Sequence, residues 1–179
     1  MISITQDLSL QSITVNDVTL LQTLMRNIYP AAYQHFWKDG GDFYVDKQYS
    51  EENILKELSQ ENSPYYFIVY KGEIIGNFRF VWDENLLGLS EEKQVKLHRI
   101  YLHPKDQNKG LGKHLLTWLE GLAIKKNVTV IWLDAMDSQK QAFEFYRKRG
   151  YNYYGHKVLD FELMHTSFRK MSQIYKLLY

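Results

Sequence analysis

Between an apolar run at Val95 to His103 and an amphipathic stretch opening at Gly110 lies Gln107-Asn108-Lys109-Gly110-Leu111-Gly112-Lys113. Glycines here remove the β-carbons that would hold an anion away from the backbone. The unpaired N–H groups of the first helical turn then point at that anion, and the helix dipole adds positive potential. The segment reads as a phosphate cradle, and the succession strand, glycine turn, helix points to an α/β fold. Two common phosphate loops do not fit. A Walker-type loop needs Ser or Thr after its Lys and a leading glycine, but His114 follows Lys113 and Gln107 occupies the first position. A dinucleotide fingerprint needs a third glycine at 115, where Leu115 stands.

A chain of 179 residues, 45% hydrophobic and 15% aromatic, is long and apolar enough for one packed domain spanning 1–179. The absence of cysteine excludes a disulfide scaffold, thiolate metal sites and a cysteine nucleophile. The histidines show no metal-ligand spacing, so no metal is expected. No apolar run approaches membrane-spanning length, and Met1 to Leu10 lacks a basic region followed by an apolar core. A cytoplasmic protein is expected, monomeric or homodimeric, with neither membrane nor nucleic acid as partner. The net charge of +1 excludes a globally basic nucleic-acid binder. Residues 38–62 nevertheless hold seven acids (Asp39, Asp42, Asp46, Glu51, Glu52, Glu57, Glu61) against three lysines, and residues 105–149 hold nine bases against five acids. Either these are solvated helix faces, or they form an acidic mouth for a cationic acceptor and a basic edge for an anionic cofactor.

The periodicities predict a strand at 8–13 and a helix entered through a capping box at Thr14, with Val18, Leu21, Leu24, Met25 and Ile28 on one face. The aromatic stretch 29–49 reads as an irregular loop, and Ser50 caps a second helix through Leu58. A hairpin spans 65–70 and 74–82, and a strand covers 95–102. A helix runs from Gly110 to about Lys126, followed by a buried strand of parallel-sheet type at 128–133. A helix at 139–149 stops at Gly150, and strands at 151–156 and 170–178 close the chain around a connector at 161–168.

The loop Gln-x-x-Gly-x-Gly resembles the pyrophosphate loop of the GNAT superfamily of acyl-CoA N-acyltransferases. The segment Ala142-Phe143-Glu144-Phe145-Tyr146-Arg147-Lys148-Arg149-Gly150-Tyr151, downstream in the expected order, resembles that family's A-x-x-F-Y-x-x-x-G-F. Leu97 to Leu102 and Gly110 to Leu116 read much like its bacterial spermidine/spermine acetyltransferase branch. The resemblance covers nearly the whole chain. It implies a mixed, partly parallel twisted sheet of about six to seven strands flanked by about four helices.

It also implies site residues. The pantetheine arm of acetyl-CoA would pair with the backbone of Ile100 and Leu102, as an added strand does. Gln107, Asn108, Lys109, Gly110, Leu111, Gly112 and Lys113 would hold the pyrophosphate. Lys109 and Lys113 would supply the charge that Gln107, standing where the family often has Arg, does not. Tyr146 would give a proton or hydrogen bond to the departing thiolate; its alternative is a core aromatic beside Phe145. Gln139 stands seven residues before Tyr146, where family members frequently have Asn. His98 stands nine residues before the loop, where many relatives carry a glutamate base. Its imidazole is either the base or a satisfied strand histidine. Tyr29, Tyr33 and Trp37, with His35, Phe36 and Tyr49, are candidates for the acceptor pocket. The acids of 38–62, with Asp83, Glu84, Glu91 and Glu92, would flank it. The implied activity is transfer of an acetyl group from acetyl-CoA to a primary amine, a small polyamine or diamine, by direct attack in a ternary complex. The alternatives are acetylation of a protein N-terminus or lysine, and an acyl-CoA sensor without turnover.

Overall fold

The computed structural model describes residues 1–89 and 92–179. Eight strands form one sheet: β1 (Ile2–Ser3), β2 (Leu8–Ser12), β3 (Tyr65–Tyr70), β4 (Glu73–Trp82), β5 (Gln94–Leu102), β6 (Val130–Met136), β7 (Asn152–Val158) and β8 (Lys170–Leu177). Their order is β1-β2-β3-β4-β5-β6-β8-β7, and every neighbouring pair is antiparallel except β5 and β6. Five helices cover it: α1 (Val18–Tyr33), α2 (Asp42–Gln48), α3 (Glu51–Leu58), α4 (Leu111–Lys125) and α5 (Lys140–Arg147). The mixed, partly parallel architecture agrees with the sequence reading, with one more strand and one more helix than its upper bounds.

The extra helix falls in the stretch expected to be loop. α1 runs through Pro30, which removes a single intrahelical bond, and is held by the burial of Ile28 and Tyr29 on its inner face. Asp39 then starts α2, accepting from the N–H of Gly41 at 3.0 Å and of Phe43 at 2.8 Å. Apolar packing and this local carboxylate outweigh the Pro and Gly-Gly signals that suggested an irregular chain. Thr14 forms the expected capping box, on a 3-10 turn that leads into α1. Ser50 Oγ accepts from Asn53 N at 3.2 Å at the start of α3.

Each face of the sheet buries its own core. Leu111, Leu115, Leu116 and Leu119 of α4 pack on Phe78, Phe80, Val95, Leu97, Ile131 and Leu133. On the other face, Leu21, Met25 and Ile28 of α1 and Ile54 of α3 meet Phe36, Trp37, Val45 and Phe67.

Two irregularities of β5 shape the molecule. Arg79 pairs with Arg99 and Phe80 with Leu97, so His98 is an extra residue with no partner on β4, a β-bulge. On its other side β5 pairs with β6 only from Gln94↔Val130 to Leu97↔Leu133. Beyond that point β6 stays with β8 as far as Met136↔Met171, while β5 continues with β4. The sheet splits there, and the gap opens toward the N-terminus of α4.

Candidate active site

Strand alternation decides which backbone groups face the gap. The N–H of His103 donates to Ile75 O on β4 at 2.7 Å, so the main-chain groups of Ile100 and Leu102 point the other way, into the split. Past β5 the chain makes a 3-10 turn at Pro104–Asp106 and reaches the cradle. Asn108 (φ 61°) and Gly110 (φ 78°) both adopt the left-handed conformation. The first intrahelical bond of α4 runs from His114 N to Gly110 O at 3.2 Å, which leaves the N–H groups of Leu111, Gly112 and Lys113 free of intrahelical acceptors. A Cβ built on Gly110 meets nothing within 4 Å, and one on Gly112 meets only Phe145 Cζ at 3.7 Å. The protein's own packing therefore does not require glycine at 112; the clearance lies over the free N–H groups.

The side chains of this loop are partly committed. Gln107 Nε2 donates to Leu102 O at 3.2 Å, and Asn108 Oδ1 accepts from Gln141 at 2.8 Å. Lys109 is tied to the buried Asp106 at 2.8 Å, so much of its charge is neutralised. Lys113 is exposed and, among the described residues, makes no ion pair.

The split leads into a cavity of about 310 Å³ lined by both parted strands, Leu97 to Tyr101 and Leu133 to Met136, with Tyr29, Tyr33, Trp37, Gln139 and Tyr146 around it. Tyr146 is buried edge-on to Phe145 (5.1 Å) and Tyr151 (5.4 Å). Its hydroxyl has no protein partner among the described residues, and burial, reinforced by Tyr33, pushes its pKa well above the ordinary tyrosine value, so it remains a proton donor. Gln139, the N-cap residue of α5, sends Nε2 to Ala32 O at 3.3 Å and so ties α5 to the end of α1. Tyr29 accepts from Trp37 Nε1 at 2.9 Å and stacks on Tyr44 at 4.8 Å. His35 is exposed outside the cavity, and Tyr49 lies beneath it under Arg99. The connector after β7 contributes Phe161 and Met164, brought in by the bridge Trp37↔Met164.

His98 lines the same cavity, but its Nδ1 sits 2.5 Å from a guanidinium nitrogen of Arg79. Arginine has no acceptor lone pair, so Nδ1 is the acceptor and the neutral ring carries its proton on Nε2. Burial first, then Arg99, Arg79, Lys96 and Lys157, hold the His98 pKa down to about 2. The base role expected of His98 does not match this geometry: the nitrogen facing the core is occupied, and the other already bears a proton.

The residues behind His98 were not singled out from the sequence. Arg79 and Arg99 are both buried and share Glu57, at 3.8 Å and 2.7 Å. Gln60 accepts from Arg79, and Tyr49 OH from Arg99 at 3.2 Å. Glu57→Ala would strand two guanidinium groups in this interior, with an expected loss of about 3 kcal/mol in a urea unfolding titration at neutral pH. A loss below about 1 kcal/mol would show the cluster to be far better solvated than its burial implies.

The expected acidic residues do not line the cavity. Among the described residues, none of the acids proposed to flank the acceptor lines the cavity: Glu57 is buried under Arg79 and Arg99, Asp46 pairs with Arg26, Glu84 with Lys96, and Glu92 accepts from Thr129. Glu91 lies outside the described residues. The carboxylate that does line it is Asp134, the first residue of β6 past the paired segment, held by Lys157 at 2.9 Å and Lys96 at 3.3 Å.

Comparison with known proteins places this geometry. An N-acetyltransferase of Lactobacillus delbrueckii subsp. lactis, itself uncharacterized, is 27% identical over 107 residues, covering 60% of this chain and 62% of that protein. The chain thus spans less than two thirds of that relative. A spermidine N(1)-acetyltransferase of Thermoplasma acidophilum is 26% identical over 151 residues, covering 80% of this chain and 88% of that protein. Among solved structures, the PaiA N-acetyltransferase of T. acidophilum in complex with coenzyme A superposes with a TM-score of 0.70 at 19% identity, over 96% of this chain and 99% of that one. The spermidine N-acetyltransferase SpeG of Vibrio cholerae, as its N152L mutant, gives 0.66 at 18% identity, over 97% and 95%. The model of the acetyltransferase (GNAT) family matches residues 23–151, which hold the cradle, the split strands and Tyr146, and the chain belongs to that family.

Proposed function

We propose that this protein transfers an acetyl group from acetyl-CoA to a primary amine within a ternary complex. The observation that carries this reading is the set of free N–H groups at the start of α4, cleared by Gly110 and Gly112 and set beside a split sheet that opens on Tyr146. These residues fit the cofactor: the helix N-terminus and Lys113 suit a pyrophosphate, and the gap-facing backbone of Ile100 and Leu102 suits an amide-bearing arm. Bound there, acetyl-CoA supplies an acetyl thioester. Tyr146, protonated and otherwise unpartnered, protonates the leaving sulfur and recovers a proton from the nitrogen that has formed the new amide. The arriving ammonium must first lose a proton to solvent through the cavity, because His98 does not take it. The acid limb of kcat/KM therefore follows the acceptor's own pKa.

The acceptor is an aliphatic amine, and a diamine or polyamine is the class supported by the T. acidophilum relative. The wall of Tyr29, Tyr33, Tyr44, Trp37 and Phe161 offers ring faces to an alkylammonium chain. Lys96 and Lys157 are balanced by Glu84 and Asp134, so no strong field draws in a polycation. An amine panel with acetyl-CoA, read as thiol release, should show turnover of diamines and polyamines above amino acids. KM should change less than about twofold between low and physiological salt, in contrast to what an acidic mouth would give. Turnover of peptide amines alone would replace this reading with protein acetylation. Acetyl-CoA binding without turnover of any amine would replace it with the sensor.

A further inference from the structure

The bulge on β5 has a partner one strand away. Because His98 is the extra residue between Arg99 and Leu97, it stands opposite no residue of β4 and its ring reaches Arg79 from the side. Arg79 is only 3% exposed and is fixed from behind by Gln60 Oε1 at 2.5 Å and by Glu57, with Tyr65 beneath its guanidinium at 5.9 Å. Among the described residues Nε2 of His98 has no hydrogen-bond partner, and the half-buried residue lines the cavity at the point where β5 and β6 part.

We propose that Arg79 is a positioning residue that locks His98 in its Nε2–H tautomer and makes the imidazole a fixed hydrogen-bond donor to the reacting carbonyl. The donor role rests on the acetyl-transfer reading; the tautomer lock does not. A guanidinium can only donate, so a proton on Nδ1 would confront both a donor and a positive charge. The other charged groups near the ring reinforce this. Arg99 and Lys96 on β5 and Lys157 on β7 are cationic, while the carboxylates of Glu57 on α3 and Asp134 on β6 are bound to those cations. A ring kept neutral with one N–H aimed outward offers its dipole where negative charge develops on the carbonyl oxygen, and nothing needs to reorganise during the reaction. A glutamate at position 98 could not do this in its ionised form.

The test begins with the ligand-free protein. Nitrogen-15 NMR of labelled histidine, with His98 assigned by its absence in His98→Gln, should show a protonated Nε2 and an unprotonated Nδ1 that do not change from pH 5 to 8. Arg79→Met should free Nδ1, so that the neutral ring shows a mixture of Nδ1–H and Nε2–H tautomers, and should lower kcat about 10- to 100-fold. Arg79→Lys should restore the fixed tautomer. A wild-type ring that titrates between pH 5 and 8, or that carries its proton on Nδ1, overturns the lock. If Arg79→Met does not fold, Gln60→Ala loosens the same guanidinium and should broaden or shift the Nδ1 signal; an unmoved signal counts against the lock. His98→Phe with unchanged kcat overturns the donor role. Failure to acetylate any amine would overturn the acetyl-transfer reading while leaving the spectroscopic result intact.

Discussion

Tyr146→Phe should turn over roughly 10- to 1000-fold more slowly than wild type, with cofactor affinity nearly unchanged. The substitution keeps the ring and its edge contacts with Phe145 and Tyr151, so the fold loses only a hydroxyl that makes no hydrogen bond among the described residues. Burial raises its pKa, so it stays protonated throughout the working range, and its removal should not displace any limb of the pH profile below about pH 10. Single-turnover measurements at saturating amine separate the chemical step from product release. An unchanged chemical rate would make Tyr146 a packing residue that happens to border the cavity.

Gly112→Val should abolish the thermal stabilisation that acetyl-CoA confers. At a hundredfold excess over Kd a ligand adds about 2.7 kcal/mol to stability, so the wild-type shift is readily measured. The substitution is well suited to the test because Gly112 has ordinary helical backbone and a Cβ there meets only Phe145 at 3.7 Å. The unliganded variant should melt close to wild type. Gly110→Val should lose the same stabilisation and melt lower even without ligand, because its φ of 78° strains any β-branched residue. Stabilisation of Gly112→Val equal to wild type would show that the anion binds elsewhere.

The strand–cradle–helix unit was legible because its signals are local. Gly110 and Gly112 follow an apolar strand and precede an amphipathic helix, and each signal agrees with its neighbours. The aromatic stretch at 29–49 reads as a loop for the opposite reason. Pro30 and Gly40-Gly41 are punctuation in isolation, and only the packing of Tyr29, Trp37 and Val45 against the sheet shows that two helices survive them. His98 shows the limit more sharply. Its place in the motif suggests a base, and its role turns on Arg79, a residue nineteen positions earlier on another strand. There was a usable signal: Arg79 interrupts Phe78, Phe80, Val81 and Trp82, and Arg99 interrupts another apolar strand. A lone guanidinium in an otherwise buried strand needs a partner, and two of them need a shared acid. Nothing in the sequence says that this acid is Glu57 rather than any of its acidic neighbours, and so Glu57 reads there as part of a surface mouth.

The short parallel join of β5 to β6 also governs how the chain assembles. β3, β4 and β5 close on one another through adjacent antiparallel pairings, as do β6, β7 and β8, while the β5–β6 pairing that unites the two groups runs only from Gln94↔Val130 to Leu97↔Leu133, extended by one residue where Lys93 O accepts from Thr129 N at 2.9 Å and Val130 N at 3.2 Å. That pairing spans the whole of α4, so loop-closure entropy must be met before it contributes anything. Docking of the two sub-sheets is therefore expected to follow their own closure, with α4 as the tether between them. With so few rungs, this join is expected to be the weak line of the sheet when the native state opens partially, in the manner of a zipper already undone at one end.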